Sequence, residues 1–476
     1  MATDPHRHVR RGGQPGPTRR PTDPRDRDRG HDEEDHVPSI TSQYLTRYRR
    51  LTGDRTDALL PVTGAQRRFA LVRSLDPAGR PDVVPMCFAF PYGTVDPERL
   101  AAAARRLAAR HTALRSRPTV VRGTPVLSID APEAGVTRPA LVPGETPADA
   151  LRRALSSWDA HGPPLRLFLV RGEGRGDERG KAGGEDLLAV VLDHAVCDGR
   201  SLARIVEELG AAYDEETTGS TAPRVAPGET AAELAAYRDA VLRQLAAEER
   251  AETPEAAAYW ADRLRALRAH APAPRPERVP EGAPPGGAAQ ARLPAHHGGV
   301  SFPGLLDACR AAARELYGPD RAVPLGYPWG GRPTGAEPVV GCFLNTLVFP
   351  ADTGPGPGPE ATADGWWDDL DRADVPFDAV VGAARAAGSG WTGGLDGLLT
   401  VDDDRRRPPL RLAGVEGREV DVDGRPVRGP FAVSVTQGAE LRLRMVWDRA
   451  VLDDETAHRA FDALTHALRP PERTAG

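Results

Sequence analysis

Lysine is almost absent from this chain of 476 residues: of 62 basic residues one, Lys181, is a lysine. With alanine, glycine and proline also abundant, this is the bias of GC-rich coding, and no function follows from it. An excess of positive charge is missing too. The 68 acidic residues leave a formal net charge of −6, which excludes nucleic acid as the main ligand. Cysteines number four (Cys87, Cys197, Cys309, Cys342), far apart. Their spacing fits neither a metal site nor a disulfide framework, so each is expected to be a small core residue and no metal is expected. No apolar run reaches membrane-spanning length, and the N-terminus has no apolar signal core. The expectation is a cytoplasmic protein with no membrane partner. No internal repeat is legible.

What remains is ordinary for a globular protein: 40% hydrophobic and 27% charged residues. The length suits two or three domains, or one two-lobed unit. Gly (50) and Pro (47) are high and forecast long loops. Residues 1–36 hold Arg, Asp, Pro, Gly and His with almost nothing apolar, and read as a disordered tail. His6, His8, His31 and His36 there read as solvated rather than ligating. Ile40, Tyr44, Leu45, Tyr48 and Leu51 give residues 37–58 enough apolar content to dock on the body. The folded region starts near Leu60.

Ala189–Ser201, AVVLDHAVCDGRS, organises the rest. The apolar run Leu187–Leu192 reads as a buried strand, Asp198-Gly199 as a tight turn, and SLARIVEELGAAY as a helix with Ser201 as its N-cap. Gly199 is read as the residue that lets the chain turn sharply. His194, at the strand exit, is placed to act as a general base. Cys197 falls where a turn side chain points elsewhere, so it is not read as a nucleophile.

Taken in order, LPVTGAQRRFALVRSL reads as a helix capped by Thr63, DVVPMCFAFPY as a strand, and VDPERLAAAARRLAARHTALRSRP as an amphipathic helix. TPVLSID, PLRLFLVRG and LLAVVLDH read as strands, the last two as a hairpin. Residues 214–230 read as a linker, followed by a long helical stretch through AYWADRL, a Pro/Ala/Gly-rich loop over 271–292, and a helix over Phe302–Tyr317. PFAVSVTQGAELRLRMVWD and ETAHRAFDALTHAL close the chain as hairpin and helix.

Several of these strings carry one resemblance. His194-x-x-x-Asp198-Gly199 resembles the signature of the chloramphenicol acetyltransferase-like superfamily, which includes nonribosomal peptide synthetase condensation domains. TGAQRR resembles their S/T-x-A-Q-x-R opening, and RHTALRSR (Arg110–Arg117) their R-H-E-x-L-R-T motif, with Thr112 in place of Glu. Val323–Asp352 resembles their G-x-x-x-x-G-R and V-G-x-F-V-N-T-L segments, through Gly326, Gly331, Arg332, Gly341, Phe343, Asn345 and Thr346. Asp374–Val381 is similar to Y-P-F-E-x-(L/I)-V. The matches run in family order over about 58–468, with no adenylation-type or carrier-type sequence beside them.

The resemblance implies an α/β fold of two chloramphenicol acetyltransferase-like lobes in a V-shaped pseudo-dimer with a central tunnel. The division expected is a mostly disordered tail over 1–57, an N-terminal lobe over 58–220 and a C-terminal lobe over 221–470. No second subunit is needed, so a monomer is expected. It further implies a stand-alone condensation-type acyltransferase of natural-product biosynthesis. An acyl or aminoacyl thioester, on the phosphopantetheine arm of a carrier protein or on coenzyme A, passes to a small-molecule amine or alcohol. No cofactor is bound by the chain. His194 serves as base, Asp198 pairs with Arg332 to fix the His loop, the Gly199 N–H is a candidate oxyanion donor, and Asn345 and Thr346 line the site or bridge the lobes.

Three departures stand out. Asp193 replaces the family's first motif His, and strand alternation predicts that it turns away from His194 to meet a donor in the fold. The R-D-x-S-R-N-P-L motif is replaced by WTGGLDGLLTVDDD. Asp193, Asp198 and Ser201 also fit D-x-x-x-x-D-x-x-S, the pattern of heterocyclisation domains, which keeps that reaction as an alternative. A catalytically inactive carrier-docking or recruitment module is the other. His296-His297 reads as a loop, Trp366-Trp367 as packing, and Asp402–Asp404 with Arg405–Arg407 as a solvated turn.

Overall fold

The Glu185–Asp193 strand is buried from its second residue to its last. Its alternation fills two cores at once. Leu188, Val190 and Leu192 point into one cluster, and Leu187, Ala189 and Val191 into another on the opposite face. In this computed structural model, residues 38–53, 59–75, 82–159, 162–172, 184–216, 227–268, 282–294, 299–354 and 358–469 are described.

The strand lies in the middle of a five-stranded sheet. Val83–Pro91 and Leu165–Arg171 pair with it antiparallel on either side. Val136–Thr137 forms one edge, parallel to Leu165–Arg171. The other edge, Arg418–Glu419, comes from the far end of the chain and pairs with Val83–Pro91. Around this sheet lie α1 (Ile40–Thr52), α2 (Gly64–Leu75), α3 (Pro97–Arg110), α4 (Pro147–Ser156), α5 (Gly199–Glu215) and α6 (Pro227–Ala251). The α1 helix docks as its apolar content implies. Tyr44, Leu45 and Tyr48 are buried in the first core, and the N–H groups of Ile40 and Thr41 donate to the Glu252 carboxylate at 2.8 and 3.0 Å.

The second lobe holds α7 (Pro254–Arg263), α8 (Phe302–Tyr317), α9 (Pro359–Leu370), α10 (Phe377–Ala386) and α11 (Asp454–Ala467). Its six-stranded sheet runs Asn345–Asp352, Ala322–Trp329, Gly397–Asp403, Phe431–Gln437, Glu440–Asp448, Gly286–Pro294. The Gly397–Asp403 strand is parallel to both neighbours; the other pairings are antiparallel. Leu305, Leu306, Ala312, Met445, Trp447 and Phe461 share its core.

Two local readings are corrected. The long helix after the linker is two helices, because Thr253 caps a new start with Pro254 in its first turn. The loop expected over 271–292 becomes strand from Gly286. Its small residues suit a place beneath Trp447, where a Cβ on Gly287 would come within 2.1 Å of the indole. The lobe boundary expected at 220/221, the 1–36 tail and His296-His297 lie outside the described residues. The two cores do not divide at one point in the chain. Tyr237, Val241 and Leu245 of α6, with Val340, Phe343, Leu410 and Leu412, all belong to the first-lobe core.

Candidate functional site

His194 leaves the central strand on a short 3-10 turn, His194–Val196. The turn is tied down from both sides. The His194 N–H donates to the Asp82 carbonyl at 2.9 Å, and Gln66 Nε2 donates to the Ala195 carbonyl at 2.8 Å. Gln66 is itself fixed by a capping box at the start of α2. Its Oε1 accepts the Thr63 N–H at 3.0 Å, and its own N–H lies 3.4 Å from Thr63 Oγ1. One turn along α2, Phe69 stacks on the imidazole with ring centres 5.0 Å apart and planes 28° from parallel. His194 Nδ1 is buried and has no hydrogen-bond partner among the described residues, while the residue as a whole is half-buried on a cavity wall.

Asp193 turns away from His194. Its Oδ1 accepts from Arg73 Nη2 and from the Ala195 N–H, each at 2.9 Å, and the residue is buried. Asp198, not Ser201, caps α5: its backbone is extended and its carboxylate accepts the Ser201 N–H at 2.9 Å. Ser201 stands three places later, where its hydroxyl accepts from Arg332 Nη2 (2.8 Å) and the Gly341 N–H (3.0 Å). Gly199 is the first helical residue and needs no left-handed conformation. A Cβ there would meet nothing within 4 Å, so the reading of a sterically required turn is replaced by one of open space on a cavity wall.

The Asp198 carboxylate also receives Arg332 in two-pronged geometry, Nη2 to Oδ1 at 2.6 Å and Nε to Oδ2 at 3.0 Å. The Phe343 N–H adds a bond at 3.2 Å. Arg332 Nη1 donates to the Ala336 and Val339 carbonyls, and its guanidinium lies 4.8 Å from the centre of the Phe343 ring. Every oxygen and most donors of the pair are thus consumed inside the protein.

A cavity of about 1970 Å³ separates the lobes at this point. His194, Phe69, Val72, Met86, Phe88, Gly199, Leu202 and Val206 line it from the first lobe; Leu344, Thr346, Leu395, Leu398 and Val401 from the second. Thr346 is on the wall, but Asn345 is not: its Nδ2 donates to the Ala373 and Val375 carbonyls at 2.8 and 2.6 Å. The unmatched segment after Val381 supplies wall through Gly393–Leu395 and the Gly397–Asp403 strand. Asp402 and Asp404–Arg406 are exposed as read and Asp403 and Arg407 are half-buried, yet the whole run lines the same cavity, with Arg407 bonded to Glu419 at 2.9 Å. Cys197 is fully buried beside the site. Burial pushes its thiol well above the ordinary range, so it offers no thiolate. Trp366 stacks on Phe302 as packing predicts, while Trp367 is 61% exposed. Among the described residues no cluster of His, Cys, Asp or Glu is set to hold a metal, and no helix is long and apolar enough to cross a membrane.

Three contributors carried no assigned role in the sequence reading: Gln66, Phe69 and Glu233. The first two lie in or beside the TGAQRR string, which marked the place without giving the contacts. Glu233 of α6 bonds the Thr112 N–H at 2.7 Å and the Thr112 hydroxyl, bringing a carboxylate to the position where the motif has lost its own.

No protein-family model matches the chain. In sequence it is similar to an isonitrile lipopeptide synthase of Mycobacterium tuberculosis (strain ATCC 25618 / H37Rv), 27% identical over 469 residues, 90% of this chain and 18% of that protein. It is also similar to a probable non-canonical nonribosomal peptide synthetase, CymA, of Salinispora arenicola (strain CNS-205), 27% identical over 278 residues, 53% of this chain. The chain spans 4% and 18% of the length of these two relatives. In fold it matches the X-domain from teicoplanin biosynthesis (TM-score 0.62, 18% identity, 87% of this chain and 95% of that one). The X-domain complexed with OxyB gives 0.60 at 19% identity, covering 87% and 93%. The first condensation domain of the calcium-dependent antibiotic synthetase, with a substrate analogue, gives 0.62 at 19% identity, covering 87% and 96%.

Proposed function

We propose that this chain, which has the condensation-domain fold, is an acyltransferase that joins a thioester-bound acyl or aminoacyl group to an amine or alcohol. The carrying observation is the position of His194: it opens onto a cavity walled by both lobes, its turn is held by Gln66 at the Ala195 carbonyl, and Phe69 stacks on its ring. The acceptor's nitrogen or oxygen attacks the thioester carbonyl while His194 Nε2 takes its proton. The tetrahedral adduct collapses, the C–S bond breaks, and the proton passes to the leaving thiolate, giving amide or ester plus thiol. The Gly199 and Arg200 N–H groups, at the open start of α5 and on the cavity wall, are the proposed oxyanion donors. Asp198 and Arg332 take a structural part, since their polar atoms are spent on each other and on backbone. Asp193, bonded to Arg73, takes none in the chemistry. A positioned base supplies about 10²–10⁴-fold, and orientation in the chamber supplies the rest.

The phosphopantetheine arm of a carrier protein is the proposed donor vehicle, and the cavity volume accommodates it. Recruitment without catalysis is the second reading. It is favoured by the likeness to the X-domain, one structure of which is a complex with OxyB. Intact-mass measurement of an acyl-loaded carrier protein, incubated with the chain and a panel of amines and alcohols, separates the readings. Unloading with a matching product supports acyl transfer, and loss of a further water from that product indicates heterocyclisation. Carrier binding without unloading indicates recruitment.

A further inference from the structure

Glu248 is a buried acid that the chemistry at His194 does not use. It stands on α6, 3% exposed, and its two oxygens accept the Gly64 N–H at 2.9 and 3.1 Å. Gly64 opens α2, so a carboxylate from another helix sits on a helix N-terminus, where donors are unfilled and the dipole is positive. The approach depends on bare backbone. A Cβ on Gly64 would come within 3.1 Å of Glu248 Oε2 and 3.2 Å of Pro376 Cβ. Arg67 of α2 faces the same carboxylate, its Nη1 at 3.3 Å, and Gln244 Nε2 donates to it from the preceding turn of α6 at 3.4 Å. Asp378 of α10 and Tyr44 of α1 complete the cluster: Asp378 lies 3.5 Å from Arg67 Nε, and the Arg67 guanidinium lies 5.1 Å from the centre of the Tyr44 ring. Further along α2, Gln66 holds the Ala195 carbonyl of the His194 turn, and Phe69 stacks on the His194 ring. Gln66 Nε2 also donates at 3.2 Å to the hydroxyl of Tyr237, which is on α6 as well.

We propose that Glu248 is a positioning residue for His194: as a carboxylate it fixes the start of α2 and, through Gln66 and Phe69, sets the His194 turn and ring. Acyl transfer is then faster with Glu248 ionised than with it neutral. This rests on the reading of His194 as the base, but the setting of the ring can be read without turnover. Burial is the largest influence on Glu248; it outweighs Arg67 and the Gly64 N–H and raises the carboxyl to about 7. The neutral form is therefore already populated near neutral pH, and the isosteric Glu248→Gln reproduces a state that the fold accommodates.

The test pairs NMR of the full chain labelled with ¹³C-histidine with single-turnover unloading of an acyl-loaded carrier protein. The His194 ring signal is assigned by its loss in His194→Ala, and Phe69→Leu gives its position without the stacked ring. At about pH 8.5, Glu248→Gln is expected to move the signal toward the Phe69→Leu position and to slow unloading about tenfold, with carrier binding within about twofold of wild type. Both differences are expected to close as pH falls below about 7, where wild-type Glu248 becomes neutral too. The titration of His194 itself is present in both forms. Glu248→Asp, which keeps the charge but withdraws it from Gly64, is expected to move the signal the same way, and it decides the matter if the amide variant does not fold. Leu464→Ala, which opens a void in the second-lobe core, is expected to lower the melting temperature and leave the His194 signal in place. A signal unmoved by substitution of Glu248, a difference that stays constant down to about pH 5.5, or the same displacement in Leu464→Ala overturns the proposal. A displaced signal with no acyl transfer by any form supports the positioning and removes the reaction; transfer at equal rates with an unmoved signal overturns the positioning alone.

Discussion

Arg332 Nη2 lies 2.6 Å from Asp198 Oδ1 across 134 positions of sequence, with the two side chains 1% and 5% exposed. The pair joins the start of α5 to the segment that leads into the second lobe's sheet. Because Asp198 also caps α5, its removal strips two supports at once. Asp198→Ala leaves the Arg332 charge buried and unpaired, a loss of about 3–5 kcal/mol, and an N-cap loss of about 1 kcal/mol adds to it. Urea denaturation is expected to show a lowered midpoint together with lost activity. A variant that is inactive yet as stable as wild type contradicts the structural assignment.

The RHT stretch supports a prediction in pH. His111 is buried, and its Nε2 lies 2.8 Å from Glu208 Oε2, while Arg204 Nε lies 2.6 Å from Oε1. Burial opposes ionisation of Glu208, but the His111 bond and Arg204 outweigh it and hold the carboxyl at about 2. Unfolded, the same group titrates near pH ~4.3. The folded pKa is the lower one, so the stabilisation is complete above the unfolded value and is lost as pH falls toward 2. At about 1.4 kcal/mol per pH unit the shift corresponds to at most about 3 kcal/mol, and solvent screening of this partly exposed carboxylate lowers the gain to about 1–2 kcal/mol. Urea midpoints of wild type and Glu208→Gln are expected to differ widely at pH 6 and to converge as pH approaches 2. A constant gap contradicts the assignment.

Two glycines of α5 separate steric need from open space. Gly199→Ala adds a methyl that meets nothing within 4 Å, whereas Gly210→Ala brings a Cβ to 2.8 Å from the Arg411 backbone carbonyl. Melting of Gly199→Ala is expected to match wild type, while Gly210→Ala loses about 1–3 kcal/mol through overpacking. Equal melting of the two variants contradicts the close approach of α5 to the Arg411 segment.

The elements on which the site rests were legible wherever period and caps agreed. The apolar run Leu187–Leu192 placed a buried strand, and the opposite facing of adjacent strand residues predicted that Asp193 would find a donor away from His194, as it does in Arg73. Helix starts were less legible, because Asp198 and Ser201 are both good caps and the choice between them is made by the Arg332 and Gly341 contacts of Ser201. The partners of Thr112 and Gln66 lie 121 and 129 positions away, in α6 and the His turn, beyond any local pattern. The Arg332 pairing was named through the resemblance, not through spacing. The strand from Gly286 was illegible for a related reason: Gly287 is required by the Trp447 ring on the next strand and Gly286 by the Arg425 carbonyl, not by β propensity.

The central claim is that His194 handles the proton of the acceptor. The most direct measurement is single-turnover unloading of an acyl-loaded carrier protein, followed by intact mass, with wild type and His194→Ala at equal concentration and with melting curves for both. The account predicts unchanged melting, unchanged carrier binding, and a rate lowered by about 10²–10⁴-fold, with the larger loss for an alcohol acceptor than for an amine. A variant that unloads the carrier as fast as wild type contradicts it.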